Sequence, residues 1–129
     1  MNGHPIWVSP TDKLNDSLMA TGFPYHDFDR LDPYIEVLKY LMRNSHGIRR
    51  LGSAAVDLAY VASGRYDGFY EYGLNSWDVA AGAILVKEAG GLVTDFSGSD
   101  KFVFGREIVA SNHGISDEFL ELIKHNFQE

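Results

Sequence analysis

The chain has 129 residues, 45% of them hydrophobic, which suits one globular domain over residues 1–129. Its 11 basic against 18 acidic residues give a net charge of −7, the wrong balance for a protein that neutralises nucleic acid phosphates. It contains no cysteine, which excludes disulfides and thiolate metal sites and is compatible with a reducing cytoplasm. No stretch reaches the ~20 apolar residues of a bilayer span. The start, Met1 to Trp7, has neither the basic nor the apolar region of a signal peptide, so no membrane partner is expected.

In chain order, Ile6–Ser9 reads as a short strand ended by Pro10, and residues 17–23 as an apolar strand leading into a turn at Pro24. Leu31, Tyr34, Ile35, Leu38, Leu41 and Met42 recur at steps of three and four. That spacing predicts one buried face of a helix running from near Phe28 to Asn44 or Ser45. Asp32, Glu36, Lys39 and Arg43 fall on its outer face, where Glu36 and Lys39 can pair across one turn. Ile48–Leu51 is a short strand, and Ser53 is placed to cap a helix over 54–63. Small and apolar residues all round that helix suggest tight burial, and Gly64 suits its C-terminal stop.

A strand over Phe69–Tyr72 follows, with alternation that predicts one buried face and one facing a pocket. Next come a helix over Asp78–Ala89 that ends at Gly90 and Gly91, and strands over Leu92–Phe96 and Ile108–Ser111. Gly98–Lys101 reads as a turn. A last helix buries Ile115, Phe119, Leu122, Ile123 and Phe127. Alternating helices and strands imply an α/β layered domain, a sheet covered by helices. There is no internal repeat, low-complexity tract or linker.

The densest chemical signal is the run Trp77-Asp78-Val79-Ala80-Ala81-Gly82, continuing to Glu88-Ala89-Gly90-Gly91. A carboxylate at a helix N-terminus is favoured by the helix dipole and the free N–H groups there, and it suits a hard cation such as Mg²⁺. The same Asp78 also serves as a simple helix cap, with Trp77 a core anchor beside it. The five histidines, His4, His26, His46, His113 and His125, include no pair at the spacing of a zinc helix. Gly90-Gly91 lacks the G-x-G-x-x-G pattern of a phosphate cradle.

This run resembles the W-D-x-A-A/G-G…E-A-G-G signature of the inositol monophosphatase family. Three further segments agree in order: Thr21-Gly22-Phe23-Pro24-Tyr25, Gly47-Ile48-Arg49-Arg50-Leu51-Gly52-Ser53-Ala54-Ala55, and Asp67-Gly68-Phe69-Tyr70-Glu71-Tyr72. The family's other signature, D-P-I/L-D-G-T, which supplies metal-binding aspartates and the threonine that helps activate water, is absent. The only Asp-Pro, in Asp32-Pro33-Tyr34-Ile35, lacks the rest of it. The resemblance therefore implies the C-terminal half of the family's αβαβα sandwich, with the N-terminal metal-binding half as its missing partner.

It further implies a Mg²⁺ cofactor with Asp78 as metal ligand, and substrate binding by Gly52, Ser53, Ala54 and Glu71. Glu71 takes the family position that accepts hydrogen bonds from hydroxyls of the substrate's alcohol portion. Without the resemblance, Glu71 is equally a surface strand residue, and Ser53 a helix cap at a turn that Gly52 permits. No catalytic residue is expected within the chain, because the water-activating groups belong to the absent motif.

The implied parent hydrolyses a phosphate monoester of inositol or a related polyol, and the isolated chain is expected to be inactive. The same superfamily includes 3′(2′),5′-bisphosphate nucleotidases and fructose-1,6-bisphosphatase-type sugar phosphatases. A non-catalytic assembly module is the alternative of a different class. Apolar surface left uncovered by a missing half predicts self-association, as a homodimer in the simplest case.

Overall fold

A computed structural model describes residues 5–22, 29–74, 76–102 and 106–127, except the side chains of Ser76 and Asp78. Five strands form one mixed sheet: β1 (Leu18–Thr21), β2 (Gly47–Arg49), β3 (Gly68–Tyr72), β4 (Leu92–Thr94) and β5 (Glu107–Ser111), in the order β2-β1-β3-β5-β4. β1 pairs in parallel with both β2 and β3, whereas β5 runs antiparallel to β3 and β4. Among the described residues four α-helices cover it: α1 (Leu31–Asn44), α2 (Ala54–Ala62), α3 (Ser76–Glu88) and α4 (His113–Phe127). The fold is α/β, as the alternation of elements implies. Among the described residues no helix is long and apolar enough to cross a membrane.

The sheet is buried on both faces. On one, α1 and α4 bury Tyr34, Val37, Leu41, Ile115, Phe119 and Ile123 against Met19, Tyr70 and Tyr72. On the other, α2 and α3 bury Leu58, Val61, Val79 and Val86 against Ala20, Phe69 and Ile108. The expectation that β3 buries a single face is corrected accordingly: Phe69 and Tyr70 lie in different cores, and Glu71 alone in β3 is only half-buried.

Other expectations also change. Residues 6–9 form no strand, because the described ladder bonds are replaced by a single one, from Val8 N–H to the Ala89 carbonyl (3.1 Å). Met42 is exposed; the buried line of α1 runs through Tyr34, Val37 and Leu41, and the next residue is turned about 100° away from it. Trp77 is no core anchor, being 76% exposed with Ile84 (62%) on the outer side of α3. Ala55 and Val56 are exposed likewise, so α2 is covered on one side and open on the other. β2 and β4 each stop two residues earlier than expected, at Arg49 and Thr94; the described pattern otherwise agrees to within a few residues at the ends, including the exposed Glu36–Lys39 pair (3.5 Å) and Gly64 at φ 81°.

Two packing features have consequences for stability. A Cβ at Gly82 would come within 2.6 Å of Leu58 Cδ1 and 2.7 Å of its Cβ, so α2 and α3 approach through the missing side chain. Asp57 is fully buried in α2, and neither carboxylate oxygen has a hydrogen-bond partner among the described residues. Burial alone pushes its carboxyl up to about 6.

Gly82→Ala is expected to destabilise the chain by about 1–3 kcal/mol through overpacking. In chemical denaturation, Leu58→Ala should absorb part of that cost, making the pair less than additive. For Asp57 the folded pKa lies above the unfolded one, so its stabilising influence is complete below about pH 4. It is lost as pH rises through about 6, by about 3 kcal/mol in all. Asp57→Asn should therefore gain on the wild type across that window and match it near pH 4; parallel curves at all pH values would contradict this.

Candidate functional site

Because β2, β1 and β3 run parallel, their carboxyl ends lie along one edge of the sheet. Beyond β1 the chain goes to α1 on one face, while beyond β2 and β3 it goes to α2 and α3 on the other. Neighbouring strands whose connections leave to opposite faces open a crevice between them, the usual ligand position in open α/β sheets. Both neighbours of β1 meet that condition, so the crevice runs along the end of β1 toward β2 on one side and β3 on the other.

The register places Thr21 beside Tyr70, which carries Gly22 alongside Glu71. The Glu71 carboxylate lies directly over Gly22: a Cβ there would stand 2.9 Å from Oε2, and nearer still to Oε1 and Cδ. Behind it, the Thr21 hydroxyl donates to the Tyr70 carbonyl (2.8 Å) and lies 3.1 Å from the Tyr34 hydroxyl. Burial pushes the Tyr34 phenol up to about 12, with the nearby charge of Glu71 adding to the rise. Tyr34 is therefore a neutral hydroxyl at neutral pH.

The beginnings of α2 and α3 border the same edge. Gly52 has φ 84°, with no atom within 4 Å of where a Cβ would be, and Ala54 is buried. Ser53 caps α2, its hydroxyl accepting from Val56 N–H (3.4 Å) and its carbonyl from Asp57 N–H (2.9 Å). The capping role anticipated for Ser53 is thus observed. The backbone of Asp78 lies in the first turn of α3, immediately after β3. Its carboxylate, expected as the metal ligand, lies outside the described residues, as do Phe23, Pro24 and Tyr25.

Two buried acids have purely structural surroundings. Asp67, at the opposite edge, accepts from Leu18 N–H (2.7 Å) and from the Ser9 hydroxyl. Asn112 Nδ2 donates to Ser9 Oγ (2.7 Å), while its Oδ1 caps α4 through Ile115 N–H (3.0 Å). For Asp95, burial raises the carboxyl, but hydrogen bonds from Ser99 and Ser97 outweigh it and hold the group below its ordinary value.

Among the described residues no three His, Cys, Asp or Glu stand together as a metal-holding group, so they do not make a magnesium site by themselves. A groove of about 570 Å³ between α1 and α4 is lined by none of the residues expected to bind substrate or metal. Sequence reasoning missed Tyr34 and Asp57 as chemically distinct groups. The signal for Asp57 was present, a single acid in an otherwise small and apolar helix.

Comparison with known proteins agrees with the family resemblance and the fold. The sequence profile of the inositol monophosphatase family matches residues 1–128. The Nus factor SuhB of Pseudomonas aeruginosa is 52% identical over 114 residues, 87% of this chain and 42% of that protein. The crystal structure of the extragenic suppressor protein suhB from Bartonella henselae superposes with a TM-score of 0.89 at 41% identity, over 95% of this chain and 47% of that one. An inositol monophosphatase from Anabaena gives 0.86 at 42% identity, over 96% and 49%. The chain thus spans about half the length of the relatives it matches.

Proposed function

Since the chain belongs to the inositol monophosphatase family, we propose that it forms the alcohol-recognising half of a Mg²⁺-dependent phosphomonoesterase acting on inositol phosphate or a related polyol phosphate. The observation that carries this reading is the Glu71 carboxylate, set over Gly22 at the carboxyl edge of the parallel strands. A carboxylate accepts hydrogen bonds from two hydroxyls, which suits a polyol. The turn at Gly52, Ser53 and Ala54 offers backbone N–H groups from the start of α2 to a substrate oxygen. Asp78 is assigned as one ligand of the cation, whose remaining ligands come from a segment outside this chain. No hydrolytic step is assigned to the described residues alone, and the isolated chain is expected to be inactive.

The test joins the chain in frame to the amino-terminal half of the Pseudomonas aeruginosa relative. The fusion should hydrolyse inositol 1-phosphate with Mg²⁺, and in preference to 3′-phosphoadenosine 5′-phosphate, while the chain alone turns over neither. Glu71→Ala should lower kcat/KM for inositol 1-phosphate about 10- to 100-fold, the loss of hydrogen bonds to a charged acceptor. Preference for the nucleotide, or indifference to Glu71→Ala, would overturn the reading.

A second reading, an assembly role, is favoured by the exposed Trp77, Ile84 and Leu85 on α3 and by the name Nus factor carried by the Pseudomonas aeruginosa relative. An apolar face of this kind drives association, and a second copy of the chain is its simplest occupant. Sedimentation should show the isolated chain self-associating, and Ile84→Glu should reduce it. A clean monomer at high concentration would rule that out.

A further inference from the structure

We infer that Gly22 is a positioning residue for the Glu71 carboxylate, and through it a position that decides how large an alcohol the site accepts. This rests on the role proposed for Glu71. The parallel register pairs Thr21 with Tyr70, one step before residues 22 and 71, and all three atoms at the end of the Glu71 side chain fall within 3 Å of where a Cβ on residue 22 would be. Any side chain there must displace the carboxylate.

The nature of the obstacle matters. At Gly114 a Cβ would meet the backbone of Thr11 and Asp12, and at Gly91 the carbonyl of Ser111. Substitutions at those glycines would have to move the chain itself. At Gly22 the three nearest atoms all belong to the end of one flexible side chain, which yields more readily than backbone. The absence of a side chain at residue 22 therefore shapes where an acid sits more than it shapes the backbone. It lets the carboxylate lie back on the end of β1 and leaves the space ahead of it to the ligand. A methyl group pushes the carboxylate forward into that space. Bulky polyols then lose both room and a correctly placed acceptor.

The experiment uses the fusion described above and compares inositol 1-phosphate with p-nitrophenyl phosphate, whose leaving group has no hydroxyl for Glu71 to bind. Gly22→Ala should raise KM for inositol 1-phosphate about tenfold, while kinetics on p-nitrophenyl phosphate change less than about twofold. Added to Glu71→Ala it should have no further effect. In the isolated chain, the NMR signal of the Glu71 carboxyl carbon should move in Gly22→Ala while the melting temperature stays nearly constant. Equal losses on both substrates, or an unmoved carboxyl signal, would overturn the inference.

Should Gly22→Ala fail to fold, Gly22→Ala with Glu71→Ala decides the matter. With no carboxylate left beside the methyl group, recovery of folding supports the inference and failure to recover overturns it. The two readings fail separately. If Glu71→Ala leaves inositol 1-phosphate kinetics intact, the proposed role of Glu71 is wrong. If Glu71→Ala impairs them and Gly22→Ala does not, only the inference about Gly22 is wrong.

Discussion

Strand β1 is hydrogen-bonded on both sides to strands running in its own direction, and the arrangement of the site follows from that constraint. Parallel neighbours need crossover connections, so β1 and β2 are each followed by a helix that begins at the same edge, and α3 begins there too because β3 ends there. The turn at Gly52 and Ser53, the first turn of α3 and the end of β1 are brought to one border although they are far apart in sequence. The close approach of α2 to α3 at Gly82 then holds two of those helices together on one face. Had β1 and β3 been antiparallel, Glu71 and Gly22 would have pointed to opposite ends of the sheet.

The two edges of the sheet are finished differently. At the amino ends, Asp67, Ser9, Asn112 and the backbone of Leu18 and Ile115 satisfy one another in a closed polar knot. A buried polar network of this sort stabilises only if all its members are paired. It also fixes where β1 and β3 begin, and so where they end. The carboxyl edge carries Glu71, half-buried, with the open turn at Gly52 on its flank. Rigidity at one end of the strands thus defines geometry at the other.

Much of this was legible in the sequence because helical spacing and capping are local. The line Ile115, Phe119, Ile123, Phe127 is buried as its period requires, and Ser53 caps the helix it precedes. Trp77 and Met42 were misread because exposure depends on whether another element lies over that side, which a periodic pattern does not state. The strand expected at residues 6–9 failed for a similar reason: a short apolar run supplies a surface, but a ladder requires a partner strand. In β3 the alternation was read as half-buried, yet helices cover both faces, so aromatic residues occupy both cores.

The importance of Gly22 lay beyond the sequence signal altogether, since a glycine is silent about what fills the space it leaves. Only the register reveals that the occupant is a carboxylate. The acids of this chain make the same point more generally. Asp67 is saturated with donors, Asp95 is wrapped by serine hydrogen bonds, and Asp57 is buried without a described partner. Each is spent on, or strained by, the fold itself, and the titration of Asp57 and Asp95 is displaced in opposite directions as a result. Glu71 differs in resting on a residue with no side chain at the border where three strands and two helices meet. Half-buried at the carboxyl edge, it stands where a ligand's hydroxyl can reach it, which is the physical distinction between this acid and the ones enclosed by the fold.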